Sequence, residues 1–296
     1  MIGELIFEGR AFIEVPRWHE GSLWFCNFNG AGNAAVIKLN SEGKPETVIH
    51  PLESEGSDEL HSGGIDWDAE GRLVLVKART GRLIQFDNSF NIFREIQLSG
   101  YTGPLNDMVV SGNYSYVGAC GHEATSIYPL LRLMLGFPLK LGSIRKVNLV
   151  TGVDMGSAAD AMSFPNGSVF FNGGRRLVIA ETFAKQLTAF DVDINTGDLS
   201  NREVWASTGS FVLPDGICFD SADGGIWVAN SHPFSSVCCI KYHQGGKIEK
   251  QIKKQGGYVC YACGMDNSGN LYLLENTSFK RTGKSRIRKL LKEDLL

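Results

Sequence analysis

The chain repeats itself. Six stretches share one shape: an apolar run, a tight turn rich in Gly, Asp or Asn, then a branched or aromatic run. They begin at Glu14, Gly63, Pro104, Phe164, Leu213 and Tyr261. They align on Leu23, Leu73, Tyr114, Leu177, Ile226 and Leu271, at spacings of 50, 41, 63, 49 and 45 residues. A third apolar run follows most of them (AAVIKLN, GRLIQFD, GSIRKVNL, KQLTAFDVD, SVCCIKY, SRIRKLL), and often a fourth, such as ETVIHPL, REIQLSG or REVWAS. Four short strands in a repeat of roughly 45 residues is the size of one propeller blade. The expected fold is all-β: a single domain over residues 1–296, a six-bladed β-propeller with four-stranded blades around a central channel. The N-terminal run ELIFEGRAFI is expected to pair with the C-terminal strands, because closure leaves no long exposed edge.

Composition narrows the class. Hydrophobic residues make up 43% and charged residues 21%, as in a soluble globular protein, and the 35 glycines cluster between apolar runs as turns do. A net charge of -3 gives no nucleic-acid surface. The opening MIGELIFEGRAFIEV carries early acidic residues and no continuous apolar core, so it does not read as a secretion signal. No apolar run is long enough to span a bilayer. A cytoplasmic location follows as the expectation, with the seven cysteines as reduced thiols. Cys260-Tyr-Ala-Cys263 has metal-clip spacing but lacks a second pair, so it reads as structural, as does Cys238-Cys239. The basic tail from Lys280 reads as a short solvated strand and an end helix.

In a blade the first strand lines the channel, and strands alternate in direction outward. The start of the first strand and the loop between strands two and three therefore share a face. Glu14, Asn106, Asn166 and Asp215 lie 9, 8, 11 and 11 residues before the aligned apolar positions, at the starts of first strands in four repeats. Singly, Asn-Gly and Asp-Gly are turn formers. Their shared blade position makes them a candidate site at the channel mouth. Two carboxylates in a desolvated channel repel unless neutralised, and one divalent cation neutralises both. An all-oxygen set suits a hard ion: Ca²⁺ first, with Mg²⁺, Mn²⁺ or Zn²⁺ as alternatives. So few protein ligands leave positions open for water or substrate, as a catalytic metal requires. Lys77, His122, Glu181, Thr182, Asn230 and His232 occupy the equivalent loops as candidate substrate contacts, the histidines also as proton shuttles. Glu181 could instead pair with a cationic neighbour.

One loop on that face is long and apolar. Residues 121–142, GHEATSIYPLLRLMLGFPLKLG, read as a lid-like insertion that favours a hydrophobic substrate. Packing against another blade or subunit, or a membrane-surface contact through 127–141, are its other readings.

Glu14-Val15-Pro16-Arg17-Trp18, Asn106-Asp107, Pro165-Asn166-Gly167, Leu213-Pro214-Asp215-Gly216, Ala180-Glu181-Thr182 and Trp227-Val228-Ala229 occur in order along nearly the whole chain. In this set the chain resembles the senescence marker protein / gluconolactonase / luciferin-regenerating enzyme family of six-bladed propellers. The resemblance implies one divalent metal held by Glu14, Asn166 and Asp215, with Asn106 a fourth ligand or a substrate contact. It implies hydrolysis of a lactone, or in some members of an organophosphate, with Asp215 as base or nucleophile as well as ligand. Several sugar-lactonase members carry Arg two residues before the Asn of the third blade. Here that residue is Pro104, which with the apolar insertion points away from a sugar acid. The expected activity is therefore metal-dependent hydrolysis of a fairly apolar lactone or ester, with Asp215 and Asn106 catalytic. A metal-dependent isomerase, dehydratase or cyclase of a small metabolite, or a non-catalytic binding propeller, are the alternatives. No phosphate-binding loop, dinucleotide fingerprint or Gly-x-Ser-x-Gly elbow is present.

Overall fold

The computed structural model describes residues 3–10, 12–29, 33–40, 43–49, 62–121, 139–278 and 283–295. They form a six-bladed β-propeller of six four-stranded antiparallel sheets. The chain opens with β1 (Glu4–Arg10). Blade one holds β2 (Phe12–His19), β3 (Ser22–Asn29), β4 (Asn33–Leu39) and β5 (Pro45–Ile49). Blade two holds β6 (Ser62–Trp67), β7 (Leu73–Lys77), β8 (Arg82–Phe86) and β9 (Ile92–Gln97). Blade three holds β10 (Leu105–Ser111), β11 (Tyr114–Ala119), β12 (Gly142–Asn148) and β13 (Val153–Met162). Blade four holds β14 (Pro165–Phe171), β15 (Arg176–Glu181), β16 (Gln186–Val192) and β17 (Leu199–Ser207). Blade five holds β18 (Pro214–Phe219), β19 (Ile226–Asn230), β20 (Val237–Tyr242) and β21 (Ile248–Lys253). Blade six holds β22 (Val259–Met265), β23 (Leu271–Asn276) and β24 (Lys284–Leu290), followed by the short helix α1 (Lys292–Leu295). Its fourth strand is β1, which pairs antiparallel with β24 from Glu4↔Lys289 to Arg10↔Lys284. The N-terminal run thus pairs as the sequence predicts. No helix among the described residues is long and apolar enough to cross a membrane.

Sequence character follows strand rank. Second strands are continuous apolar runs, buried along their whole length in β7, β19 and β23. Such strands are covered on both faces by neighbouring sheets. Fourth strands alternate and are charged: IFREIQ in β9 and IEKQIK in β21 each bury one isoleucine, Ile96 or Ile252. Charged side chains on an outer strand discourage further pairing. The turns between first and second strands explain the recurring Asp-x-x-Gly. Asp68 Oδ1 accepts from the backbone N–H of Glu70 and Arg72, and Asp266 Oδ1 from those of Ser268 and Asn270. A carboxylate held this way closes the turn locally.

The chain forms two compact units, Met1–Leu60 with Trp205–Leu296, and His61–Val204. In the second, one apolar layer joins Val74, Leu83, Met108 and Val117, and another joins Tyr116, Ile144, Leu177 and Phe190. In the first, Trp227, Cys239, Cys263 and Leu273 form one layer with Leu295 of α1, while Ile13, Phe25, Leu274 and Ile287 form another. Each layer is the filling between consecutive sheets of its unit.

The basic tail differs from the solvated strand expected of it. Arg288 of β24 is 2% exposed, and Glu275 of β23 is fully buried. Glu275 receives Arg288 through two 2.7 Å bonds and Arg286 Nε through a third of 2.7 Å. Two of the tail's arginines neutralise one buried carboxylate, which is why basic residues recur there.

Candidate functional site

Every first strand carries the same irregularity near its start. In β10 the register moves from Leu105↔Ala119 to Met108↔Val117, so Asn106 and Asp107 face one residue of β11. In β14, Asn166 and Gly167 lie between Pro165↔Glu181 and Ser168↔Ile179. In β18, Asp215 and Gly216 lie between Pro214↔Asn230 and Ile217↔Val228. In β6 the pair is Gly63-Gly64, and in β22 the extra residue is Tyr261. A bulge of this kind bends the strand and re-aims the side chain it carries. Asn106, Asn166 and Asp215 each stand first in their bulge.

Glu14 is offset by one. It pairs with Cys26, and the bulge residues of β2 are Val15 and Pro16. Val15 sits at φ 58°, a left-handed backbone that a β-branched residue rarely adopts. This turn sits immediately after the carboxylate. On its other side Ile13 is clamped: its N–H donates to Asn276 Oδ1 at 2.9 Å, and its carbonyl accepts from Asn276 Nδ2 at 3.0 Å.

In the unit containing β2, β18 and β22, two of the predicted ligands share one neighbourhood. Asp215 is 6% exposed and Glu14 is half-buried. Tyr261 is also buried, and its ring packs edge-on against Phe12 with centroids 4.8 Å apart. Burial raises the Tyr261 phenol above its ordinary range, and the charges of Asp215 and Glu14 raise it further. Both carboxylates bear on one phenol, and their strands β2 and β18 each pack against β22. The neighbourhood is negative and poor in water, where a cation stabilises the charged forms. Its donors are all oxygens, which fits a hard divalent ion. Sequence reasoning missed Tyr261. The signal was there, since Tyr261 opens the sixth repeat 10 residues before Leu271, much as Asp215 stands before Ile226. Gly216 permits the close approach, for a Cβ there would lie 2.7 Å from Ala262 Cα on β22.

In the other unit, Asn166 is 8% exposed, and its Nδ2 donates to Thr182 Oγ1 at 3.3 Å. That bond engages the amide nitrogen and not the carbonyl oxygen. Thr182 in turn donates its N–H to the Phe164 carbonyl at 3.1 Å, fixing the turn ahead of β14. Asn106 is half-buried on β10, and its backbone carbonyl presses on β6, where a Cβ at Gly63 would come within 2.3 Å of it. Asp107, which the sequence reading left without a role, is buried and accepts from Met108 N at 2.7 Å.

Three further candidates occupy one structural position. Lys77, Glu181 and Asn230 each end a second strand and pair with the residue just before a bulge. They therefore lie at the same strand end as the bulge residues of their own blades. All three are buried. Glu181 accepts from Ser163 N at 2.6 Å through one oxygen, and from Thr188, Gln186 and Arg202 through the other. The pairing with a cationic neighbour is thus its observed state. Asn230 uses its whole amide: Oδ1 accepts from Leu213 N and His232 N, and Nδ2 donates to the carbonyls of Phe211 and Val237. These two side chains fasten the backbones that lead into β14 and β18. Asn230→Ala is expected to cost about 1–3 kcal/mol for each buried group left unpaired. Thermal melting checks this, and an unchanged midpoint would mean the loop is held by other contacts.

His232 is half-buried, with its ring edge-on to Phe211 at 5.7 Å and Phe234 at 6.1 Å. Phe211 and Phe234 are 68% and 87% exposed, an aromatic rim on the loops around the start of β18. His122 and residues 122–138 of the apolar insertion lie outside the described residues.

A second set of metal-type side chains, Asp223, His243 and Glu249, gathers at the opposite strand ends of blade five. It contains its own cation. Lys241 Nζ lies 2.8 Å from Asp220 and 3.7 Å from Glu249, and also bonds Asp223. An ammonium at the centre of these carboxylates opposes a metal ion there.

A family model described as the SMP-30/Gluconolactonase/LRE-like region matches residues 12–274. No curated protein matches the chain by sequence. Among solved structures, a gluconolactonase from Xanthomonas campestris is similar at 18% identity and a TM-score of 0.68, over 97% of this chain and 89% of that one. A luciferin-regenerating enzyme is similar at 16% identity and a TM-score of 0.68, over 98% and 94%. Regucalcin from Agrobacterium tumefaciens, a calcium-binding protein, is similar at 15% identity and a TM-score of 0.67, over 98% and 95%. At these identities the likeness is one of fold.

Proposed function

The chain belongs to the SMP-30/gluconolactonase/LRE-like family, and from that premise we propose that it is a divalent-metal-dependent hydrolase of lactones or related esters. The observation that carries this reading is the convergence of Glu14 and Asp215 on buried Tyr261. Two carboxylates in one desolvated place are the arrangement a cation stabilises and a hydrolytic base needs. We assign Glu14 and Asp215 as ligands; Asn166, and Asn106 as a fourth ligand or a substrate contact, are carried over from the sequence resemblance as neutral oxygen donors. A calcium-binding relative favours Ca²⁺ as the ion.

A divalent cation held by Glu14 and Asp215 would supply Lewis-acid polarisation of an ester carbonyl. Asp215 accepts the proton of the attacking water at a carboxylate oxygen. Glu14 holds its place because Asn276 clamps the preceding residue and Val15 turns the chain after it. Asn106 orients water or substrate by an amide hydrogen bond. Tyr261, buried against Phe12, excludes water beside the two carboxylates, and its phenol stays protonated. Phe211 and Phe234 give a substrate an apolar rim, in keeping with a substrate less polar than a sugar acid.

The test is hydrolysis of sugar lactones and alkyl γ- and δ-lactones, followed by a pH indicator with and without chelator. Chelator-sensitive turnover that improves with alkyl chain length is the expected result. No turnover on any lactone after metal is restored would overturn hydrolysis and leave a metal-dependent isomerisation or ring closure as the reading.

A further inference from the structure

Five of the seven cysteines, Cys218, Cys238, Cys239, Cys260 and Cys263, fall in blades five and six, within one compact unit. The lactonase reading uses none of them. Cys218 on β18 donates its S–H to Cys263 Sγ on β22 at 3.7 Å, and the Cys239 thiol on β20 also acts on that sulfur. Cys263 is thus flanked by two thiols. Burial opposes a thiolate at all three. Hydrogen bonding from neighbouring groups, the Cys218 thiol first among them, offsets that burial and holds Cys263 below its ordinary range, while its own S–H faces the carbonyls of Gly216 at 3.5 Å and Trp227 at 3.4 Å. Cys218 and Cys239 are pushed up.

Geometry selects one pair. β18 and β22 are in backbone contact, because Gly216 has no Cβ to hold Ala262 away. A disulfide needs the sulfurs to close to about 2.05 Å, which side-chain rotation across such a contact can supply. Cys218 is half-buried, whereas the other six cysteines are buried, so it is the member of the cluster nearest to solvent. Cys239 is fully buried on a third strand.

We propose that Cys218 and Cys263 form a reversible disulfide when the protein meets hydrogen peroxide, tying the strand of Asp215 to the strand of Tyr261. The Cys263 thiolate attacks one peroxide oxygen and releases hydroxide, giving a sulfenic acid. The Cys218 thiol then attacks that sulfur, the S–S bond forms, and the sulfenic oxygen leaves as water. One peroxide is reduced to two waters as two thiols are oxidised. The link joins β18 and β22 just past the bulges that carry Asp215 and Tyr261, so it reports on the neighbourhood of the site without depending on what that site hydrolyses.

Full-length reduced protein is exposed to a small excess of hydrogen peroxide, alkylated, and read by intact mass and peptide mapping. The expected product has lost two of its seven alkylatable thiols, is lighter by two hydrogens before alkylation, and yields the 218–263 cross-linked peptide. Dithiothreitol restores both thiols. Cys218→Ser is expected to abolish the link and leave Cys263 as a sulfenic acid that dimedone traps. Retention of all seven thiols, a link through any other pair, or loss of two thiols in Cys218→Ser would overturn the proposal. The wild-type peptide map decides it even where the variant does not fold.

Discussion

Asp215→Asn is expected to fold normally and to lose about 10³-fold in turnover, the range that removal of a positioned proton acceptor commands. The replacement keeps the shape of the side chain at the first bulge position of β18, between Pro214↔Asn230 and Ile217↔Val228. It removes a charge from a residue only 6% exposed, one of two that raise the Tyr261 phenol. Losing one of two neighbouring negative charges relieves repulsion in the metal-free protein, so the melting temperature is expected to hold or rise. That combination separates a functional carboxylate from a structural one. Asn230→Ala, in the same blade, is expected to do the reverse and lower the melting temperature by freeing the backbone at Leu213 and His232. Steady-state kinetics and thermal melting on both variants check the contrast. Undiminished turnover in Asp215→Asn would remove Asp215 from the mechanism.

The second large effect is on stability. Glu275→Gln is expected to destabilise the protein by about 3–5 kcal/mol, the cost of breaking a buried ion pair on one side. Arg288 is 2% exposed and forms two bonds to Glu275, so a neutral amide leaves a buried guanidinium without its counter-charge. Marginal stabilities make such a change a large fraction of the total. The loss should also be local. β24 joins β23 on one side and β1 on the other, so Glu275→Gln should speed amide exchange in Glu4–Arg10 before it does so in blades two to four. Urea unfolding gives the magnitude and hydrogen exchange gives the place. A midpoint equal to that of the wild type would show that the ion pair contributes nothing net.

Much of the fold was legible because blade sequence is local. A buried second strand reads as an apolar run, as in IWVAN, and a turn reads as Asp-x-x-Gly because Asp68 and Asp266 close it with their own backbone neighbours. Even the β1–β24 pairing was accessible, since leftover strands at two termini complete one sheet. Asn106, Asn166 and Asp215 could be placed on first strands because Asn or Asp recurs at one strand position. What stayed hidden depends on contacts between distant segments or on backbone conformation. Nothing in the text of the chain announces that Val15 takes a left-handed φ, and this is why Glu14 stands one place outside the bulge pattern. Tyr261 was passed over because an aromatic residue in an apolar run reads as core. Glu181 and Asn230 were read as pocket residues from their position. Both end second strands, and their polar atoms fasten nearby turns; hydrogen-bond partners are not visible in a strand pattern. The basic tail was read as solvated, because Glu275 lies 13 residues before Arg288 and only the β23–β24 register brings them together.

Calorimetric titration of Ca²⁺ into chelator-stripped protein tests Glu14 and Asp215 as ligands of one cation most directly. The expected result is one site in the wild type and a tenfold or greater weakening in Glu14→Gln, about 1.4 kcal/mol or more of lost binding. Asp215→Asn should weaken the same site comparably, with both variants melting as cooperatively as the wild type. Wild-type protein that takes up no divalent cation, or variants that bind as tightly as the wild type, would contradict that assignment.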